Sequence, residues 1–384
     1  MRIAGDWLSC EETQTVCRVL TEAGHQALVV GGCVRNALLG FPISDVDIAT
    51  DARPEIVSDL AEAAGLKVVP TGMDHGTVTV VAGGKGYEVT TFRRDVETFG
   101  RHATVAFSTD LAEDAARRDF TMNALYATAD GEVIDPLGGL TDIAARRLRF
   151  VGDPQDRITE DYLRILRFFR FHAWYADPAE GFDAEGYAAC AANIAGLETL
   201  SRERIGAEMR KLLAAPAPSE AVAGMAHCGA LGVILPGADP RALPILVHLE
   251  GGLAPDWRRR LAVLGGQDVA DRLRLSRADG NTLRLIGDEV GSPRQAAELG
   301  YRHGAGLGRD ILLCRAALTE MPLPPGWEAD LARGAAARFP IRAADLMPAF
   351  TGAALGARLA ALEARWIASG FTLTREALLD TPES

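Results

Sequence analysis

The chain has 384 residues, 48% hydrophobic and 24% charged, a composition that is typical of a folded globular protein and excludes extensive disorder. This length predicts two or more domains. The net charge of −12 excludes a uniformly basic protein, although seven arginines between residues 144 and 172 allow a local basic groove for nucleic acid. None of the six cysteines forms a Cys-x-x-Cys pair, and neither an apolar signal region nor a membrane-spanning run is found. We therefore expect a cytoplasmic protein without structural zinc.

The first third of the chain alternates between helical and strand patterns. The predicted elements are, in order, helix 11–23, strand 27–30, helix 34–39, a strand containing 45–48, helix 54–64, and strands 77–82 and 87–92. The last two strands flank Gly83 and Gly84, which is a hairpin signal. Residues 93–107 are polar, charged and aperiodic, and they predict a mobile loop that becomes ordered when substrate binds.

Further along, a helix is predicted at 110–118 with Ser108 or Thr109 as its cap, followed by strands at 125–127 and 132–134. After about residue 145 the strand patterns stop. Thr159 is predicted to cap a helix that runs to about residue 174, and Ser201 one that runs to Leu213. The fold class is therefore predicted as α+β: an N-terminal α/β head with a small mixed or antiparallel sheet, followed by all-helical domains.

Two glycines, Gly31 and Gly32, separate the apolar strand 27–30 from the helix that follows. Glycine lets the backbone approach a ligand closely, and the start of a helix offers unpaired N–H groups to phosphate. Arg35, in the first turn, can add positive charge. The turn therefore predicts a triphosphate site, although such turns also occur for purely structural reasons.

Three carboxylates follow this turn. Asp45 and Asp47 alternate with apolar residues, so both side chains are predicted on one face of a strand, where they repel one another unless a cation binds. Glu88 lies in a second alternating strand and is predicted to converge on them. Mg²⁺ prefers oxygen ligands of this kind, and three carboxylates with two metal ions suit an in-line displacement at phosphorus.

Six segments, in this order, resemble the motifs of the class II CCA-adding enzyme and bacterial poly(A) polymerase family. They are Val-Gly-Gly-Cys-Val-Arg-Asn-Ala-Leu-Leu-Gly at 30–40, Asp-Val-Asp-Ile-Ala-Thr at 45–50, Arg-Arg-Asp-Phe-Thr-Met-Asn-Ala-Leu at 117–125, Asp-Pro-Leu-Gly-Gly at 135–139, Glu-Asp-Tyr-Leu-Arg-Ile-Leu-Arg at 160–167, and Glu-Arg-Ile at 203–205 with Glu208. The resemblance covers about residues 25–240. One departure is Asn36, where the family usually has Asp; the amide keeps hydrogen bonding but loses the charge, which can alter the setting of Arg35.

The resemblance implies template-independent addition of C, C and A to the 3′ end of tRNA from CTP and ATP, with release of pyrophosphate. It implies that Asp45 and Asp47 bind Mg²⁺ and that Glu88 positions or activates the primer 3′-hydroxyl. Gly32, Arg35 and Arg118 are expected to hold the triphosphate, and Asp119 and Asn123 to support the sugar or the local fold. It also implies a catalytic head at 1–145, a nucleotide-selecting neck at 146–215, and a body and tail at 216–384 that bind tRNA.

Base selection is predicted to depend on Asp161 and Arg164, three residues apart on one predicted helix face. Asp161 can accept from the exocyclic amine of C or A, and Arg164 can donate to the ring nitrogen of either base. Arg167 and Arg170 continue the spacing and are predicted to contact phosphate or brace Asp161. The alternative is an ordinary salt-bridge pair. The aromatic residues of this segment (Phe168, Phe169, Phe171, Trp174 and Tyr175) are predicted to be core in preference to a base-stacking surface.

Three other functions stay open from the sequence. A poly(A) polymerase shares the head motifs, although the last residues here, 373–384, lack the basic character expected of its RNA-binding extension. A partial enzyme that adds only CC or only A has the same motifs. A non-catalytic tRNA-binding protein is the alternative of a different class, and it has no need of three convergent carboxylates. The oligomeric state is not predicted.

Overall fold

The computed structural model describes residues 1–99 and 102–380, with side chains described outside 95–105. The chain divides into two compact units, residues 1–236 and 237–384. The finer division predicted from the sequence, with boundaries near 145 and 215, stays a prediction. Within the described residues no helix is both long and apolar enough to cross a bilayer.

The first unit contains a mixed sheet and a separate hairpin. The strands are β1 (Leu28–Val30), β2 (Asp47–Thr50), β3 (Lys67–Gly72), β4 (Thr77–Ala82), β5 (Lys85–Thr91), β6 (Arg93–Phe99), β7 (His102–Phe107), β8 (Tyr126–Ala127) and β9 (Val133–Ile134). Seven of them form one sheet in the order β3-β4-β5-β2-β1-β8-β9, while β6 pairs with β7. The β2–β5 pair is parallel and the other described pairs are antiparallel.

Helices surround this sheet and form the rest of the chain. Those of the first unit are α1 (Asp6–Ser9), α2 (Glu11–Glu22), α3 (Gly32–Leu39), α4 (Pro54–Ala63), α5 (Leu111–Ala116), α6 (Gly139–Ala144), α7 (Pro154–Glu160), α8 (Leu163–Tyr175), α9 (Ala184–Ala192), α10 (Arg202–Leu213), α11 (Ser219–His227) and α12 (Ala230–Ile234). Those of the second unit are α13 (Ala242–Leu249), α14 (Trp257–Leu264), α15 (Val269–Arg272), α16 (Arg277–Val290), α17 (Ala296–Thr319), α18 (Trp327–Ala336), α19 (Ala343–Leu346), α20 (Gly352–Ala368) and α21 (Arg375–Leu379). Short 3₁₀ helices lie at Met73–His75, Thr121–Asn123 and Ile194–Thr199. The predicted α+β class is confirmed.

The period of the strands places apolar side chains on both faces of the sheet. On one face, α2 and α4 cover Val80 with Val16, Leu20 and Val57. On the other, a buried cluster is formed by Leu28, Val30, Ala49, Phe92, Ala115, Ala124, Tyr126 and Val151. Because residues two apart on a strand share a face, Asp47 and Ala49 belong to this second side of the sheet. The candidate site therefore lies where the second apolar cluster ends.

The second unit has its own apolar and ionic core. Trp366 packs with Leu346, Leu362 and other apolar residues of the last three helices. The buried Glu250 accepts hydrogen bonds from Arg259 and Arg260, both of which are also buried. Buried charges of this kind are tolerated because they are paired.

Several sequence predictions are corrected by the structure. Residues 93–107 are not an aperiodic loop, since β6 and β7 pair as an antiparallel hairpin. The prediction for Gly100 and Arg101 falls outside the described residues. A two-stranded ribbon beside the main sheet satisfies its backbone by cross-strand hydrogen bonds, so no apolar period is required.

The helix predicted from Thr159 to about residue 174 is two helices. Asp153 caps α7 by accepting from the N–H groups of Gln155 and Asp156 at 2.7 and 3.2 Å. Asp161 then adopts an extended backbone and its carboxylate accepts from the Leu163 N–H at 3.1 Å. Such a local bond from an Asp side chain competes with helix and explains the break.

Two smaller corrections concern helix and strand starts. The cap of α5 is Asp110, which accepts from the Ala112 N–H at 2.8 Å, in place of Ser108 or Thr109. Asp45 precedes β2, which begins at Asp47. The predicted Ser201 cap of α10 is confirmed, since its hydroxyl accepts from the Arg204 N–H.

Candidate catalytic and nucleotide-binding site

The parallel pairing of β2 and β5 brings the predicted carboxylates together. Asp47 and Glu88 are direct partners in this pairing, so their side chains leave the same face of the sheet, and both residues are exposed. Although Asp47 as a residue is exposed, partial desolvation of its carboxyl group is the largest cause that raises its pKa, followed by the negative charge of Glu88; Asp45 adds to the shift and Arg118 opposes it. Asp45 and Glu88 are therefore close enough for their negative charges to act on Asp47.

The donor set fits a magnesium ion. Within the described residues no group of three or more His, Cys, Asp or Glu side chains is placed so that it could hold a metal ion by itself. Mg²⁺ does not require one, because it keeps several waters and is usually held by one or two carboxylates together with substrate phosphates. Asp45 and Asp47 supply two carboxylates beside a turn suited to phosphate, and a cation there would offset the negative charges of Glu88 and Asp45 that act on Asp47.

The glycine turn lies at the end of β1. Gly31 has a φ of 70° and donates its N–H to the Leu125 carbonyl oxygen at 3.0 Å, and α3 begins at Gly32. A Cβ atom on Gly31 would lie 3.4 Å from Nη1 of Arg118 and 3.7 Å from the carbonyl oxygen of Asn123. The positive φ therefore favours glycine here. The first N–H groups of α3 have no partner within the helix, which suits an anion.

Arg118 is held on one edge of its guanidinium group. Nε donates to the Tyr126 hydroxyl at 3.0 Å, and Nη2 donates to Oδ2 of Asp114 at 3.0 Å. The sequence reasoning missed Asp114 and Tyr126. The spacing of four residues between Asp114 and Arg118 is a usable signal for a helical pair, but that signal does not indicate that the aspartate is buried.

Arg35 is buried and has several partners. Nη1 donates to Oδ1 of Asn123 at 2.5 Å, Nη2 donates to the Tyr175 hydroxyl at 2.8 Å, and Nε and Nη2 both donate to Oδ1 of Asn36. The guanidinium also lies 4.1 Å from the centre of the Tyr175 ring. Such an engaged side chain favours a positioning role over the direct triphosphate contact predicted from the sequence.

Asn36 connects Arg35 with Pro42, which lies in the segment before Asp45, by hydrogen bonds. Its amide nitrogen donates to the Pro42 carbonyl oxygen at 2.7 Å while its oxygen accepts from Arg35. An aspartate can accept from Arg35 in the same way but has no proton to donate to Pro42.

The network continues from Asn123 into α8. The Asn123 amide nitrogen donates to Oδ1 of Asp119 at 2.9 Å, and Oδ2 of Asp119 accepts from Nε of Arg167 at 2.7 Å. Burial alone would raise the pKa of Asp119, but the Arg167 charge and these hydrogen bonds hold the pKa below its ordinary value. Arg170, one turn further on, donates to Glu208 of α10 at 2.5 Å. Arg167 and Arg170 therefore brace α8 against its neighbours.

The two predicted base-selecting residues do not share a helix face. Asp161 lies in the break before α8, and its Oδ2 accepts from Nη2 of Arg204 at 2.6 Å. Arg164 lies within α8 and donates to Glu160 and to the carbonyl oxygens of Arg157 and Arg117. About a third of the Asp161 side chain stays exposed, whereas Arg164 is largely buried.

The aromatic residues of α8 are core, as predicted. Phe168, Phe169, Phe171 and Tyr175 are buried. Trp174 is half-buried and donates its indole N–H to the Lys211 carbonyl oxygen at 2.8 Å.

Two family models match the chain. The Poly A polymerase head domain matches residues 27–149, and the probable RNA and SrmB-binding site of polymerase A matches residues 182–241. The first match contains the three carboxylates, the glycine turn and Arg118.

Curated relatives match the first part of the chain. A CCA-adding enzyme of Leuconostoc citreum is 46% identical over 206 residues, which are 53% of this chain and 49% of that protein. The mitochondrial CCA tRNA nucleotidyltransferase 1 of Mus musculus is 40% identical over 207 residues, which are 54% of this chain and 48% of that protein. The chain thus spans about half the length of the curated relatives it matches.

Solved structures match over nearly the whole chain. The Bacillus stearothermophilus CCA-adding enzyme in complex with CTP superposes with a TM-score of 0.72 at 29% identity, covering 94% of this chain and 93% of that one. The Thermotoga maritima CCA-adding enzyme complexed with tRNA has a TM-score of 0.70 at 19% identity, covering 99% and 98%, and shows similarity of fold alone. Together these comparisons show that residues 27–149 resemble a Poly A polymerase head domain and that the chain is similar in sequence and fold to CCA-adding enzymes.

Proposed function

We propose that this chain is a CCA-adding enzyme, which adds C, C and A to the 3′ end of tRNA from CTP and ATP and releases pyrophosphate. The observation that carries the proposal is the convergence of Asp45, Asp47 and Glu88 beside a glycine turn and Arg118, in a chain whose relatives are named CCA-adding enzymes. A binding protein gains nothing from three repelling carboxylates.

Asp45 and Asp47 would hold Mg²⁺, which stabilises the attacking oxygen and the departing pyrophosphate when it is bound. Glu88 lies directly beside Asp47 and orients the 3′-hydroxyl of the RNA. Gly32 offers backbone N–H groups at the start of α3, and Arg118 adds positive charge, so together they hold the triphosphate. Arg35, Asp119, Asn123, Arg167 and Arg170 keep these groups and α8 in place.

Asp161 and Arg164 select the base. The exposed part of the Asp161 carboxylate accepts from the exocyclic amine that C and A share, while Arg204 orients that carboxylate. U and G present a carbonyl group in place of this amine, so they leave the carboxylate without a donor.

One assay tests the proposal against its alternatives. The protein is incubated with tRNA that lacks its 3′ CCA and with an unstructured RNA, with each NTP supplied separately and in combination in the presence of Mg²⁺. Addition of C, C and A to the tRNA followed by arrest is the expected result. An unlimited A tail on either RNA indicates a poly(A) polymerase, arrest after CC or addition of A alone indicates a partial enzyme, and no addition indicates a non-catalytic binder.

A further inference from the structure

Arg118 depends on two buried side chains that no sequence motif assigns to the reaction. Asp114 and Tyr126 are 3% and 0% exposed. The Tyr126 hydroxyl accepts from Nε of Arg118 at 3.0 Å and donates to Oδ2 of Asp114 at 2.7 Å, and the same oxygen accepts from Nη2 of Arg118 at 3.0 Å. The three side chains therefore form a closed triangle of hydrogen bonds.

The triangle determines which edge of the guanidinium group stays free. Nε and Nη2 lie on one edge of the planar group, and both are used by Tyr126 and Asp114. Nη1 makes no hydrogen bond within the described residues, and it lies beside Gly31, where a Cβ would approach it to 3.4 Å.

Charge and an aromatic ring also restrain Arg118. Asp114 neutralises one edge of Arg118, and the Tyr126 ring lies 5.1 Å from the guanidinium carbon. Both contacts hold Arg118 on the side of the glycine turn.

We propose that Asp114 and Tyr126 are positioning residues that direct the free edge of Arg118 to the triphosphate of the incoming nucleotide. This inference rests on the proposed role of Arg118 in holding the triphosphate. It predicts a loss of phosphate recognition, without a change in base preference, when either residue is altered.

Tyr126→Phe removes only the hydroxyl group and keeps the buried ring. We expect the KM for CTP and for ATP to rise by a similar factor of about tenfold, with a smaller change in kcat, as for one lost hydrogen bond to a charged group. Binding of ATP should weaken while binding of AMP, which lacks the β- and γ-phosphates, stays unchanged. Asp114→Asn should act in the same direction. The matched control is Tyr87→Phe, which also removes a buried hydroxyl in the same sheet but one that bonds to Thr13.

The Arg118→Ala background separates a positioning role from a structural one. Without Arg118 there is nothing to orient, so Tyr126→Phe should cause no further loss of ATP binding in that background. The inference is wrong if the losses of ATP binding in the two variants add up in the double variant. It is also wrong if Tyr126→Phe weakens AMP and ATP binding equally, or if Tyr87→Phe has the same effect as Tyr126→Phe. If Arg118→Ala itself leaves ATP binding intact, the assigned role of Arg118 fails, and this inference fails with it. If the wild-type chain binds NTPs but adds none, the proposed function alone has failed.

Discussion

At the scale of single residues, the site separates groups that can reach a substrate from groups that hold them. Asp45, Asp47 and Glu88 are exposed. Arg35, Asp119 and Asn123 are buried and hydrogen-bonded to one another or to neighbours. Substitutions in the first set should affect chemistry with little cost in stability, whereas those in the second set should affect both.

The first prediction concerns the carboxylates. Asp47→Asn should reduce nucleotide addition by at least about a hundredfold, because a lost charge at the cation site removes several kcal/mol of stabilisation from the reaction. Thermal unfolding should change little, since the residue is exposed. Asp59→Asn, an exposed aspartate on α4, is the control and should keep full activity. Near-normal turnover of Asp47→Asn with Mg²⁺ present would contradict the proposal that Asp47 binds Mg²⁺.

The second prediction concerns base selection. Asp161→Ala should reduce the preference for CTP and ATP over UTP and GTP by about 1–3 kcal/mol, because the acceptor for the exocyclic amine is lost. Arg118→Ala should weaken all four triphosphates by similar factors. The relative efficiencies of the four NTPs distinguish the two outcomes.

Arg204→Ala is the matched variant for this test, since it breaks the ion pair and keeps the carboxylate. It should retain the preference for the amine-bearing bases better than Asp161→Ala. If Asp161→Ala slows every nucleotide equally, the residue is structural and does not select the base.

At the scale of elements, one polar chain connects α3 with α8. It runs from Arg35 through Asn123 and Asp119 to Arg167, and it passes through the 3₁₀ turn Thr121–Asn123. Side-chain hydrogen bonds therefore connect α3, which begins at the glycine turn, with α8, which carries Arg164. This connection requires no contact between the backbones of the two helices.

The third prediction tests this connection. Asn123→Ala removes the acceptor for Nη1 of Arg35 and one of the two donors to Oδ1 of Asp119, both in buried side chains, so it should lower the free energy of unfolding by about 1–3 kcal/mol. Urea unfolding measures the change. Asn193→Ala removes an amide that bonds to the exposed Gln155, and it should cost less. If both variants lose the same free energy of unfolding, the buried hydrogen bonds of Asn123 contribute no more to stability than the exposed ones of Asn193, and the prediction is wrong.

At the scale of the whole molecule, the predicted chemistry lies in one of the two units. Every residue proposed for catalysis or nucleotide binding falls within residues 1–236. Residues 237–384 have an independent core around Trp366 and the buried Glu250 cluster. A compact unit with its own core is expected to fold by itself.

The fourth prediction follows from this division. A fragment of residues 1–236 should unfold cooperatively and bind CTP and ATP with affinities close to those of the full chain. Its KM for tRNA should rise, because we propose that residues 237–384 contact the RNA. Calorimetry and titration with each nucleotide check the first part, and addition to tRNA checks the second. Unchanged tRNA kinetics in the fragment would place RNA recognition in the first unit.

Patterns along the chain determined the local elements and the chemistry of the site. Alternation at 45–48 and 87–92 and the two glycines after an apolar strand are short-range features, so the carboxylates and the phosphate turn could be predicted before their neighbours were known. The order of the motifs then indicated the resemblance to CCA-adding enzymes and bacterial poly(A) polymerases. The period of residues 110–118 likewise predicted α5, with an error of one or two residues at each end.

Only the tertiary structure decided which side chains hold the others. The Tyr126 hydroxyl meets Arg118 because β8 lies beside β1, and Arg35 is buried because Tyr175 of α8 reaches it across 140 residues of sequence. The Asp161 carboxylate likewise accepts from Arg204, 43 residues further along the chain, a pairing that periodicity does not encode. A hydrogen bond between distant residues leaves no spacing in the sequence, whereas a strand or helix period does, and this difference separates what could be predicted here from what could not.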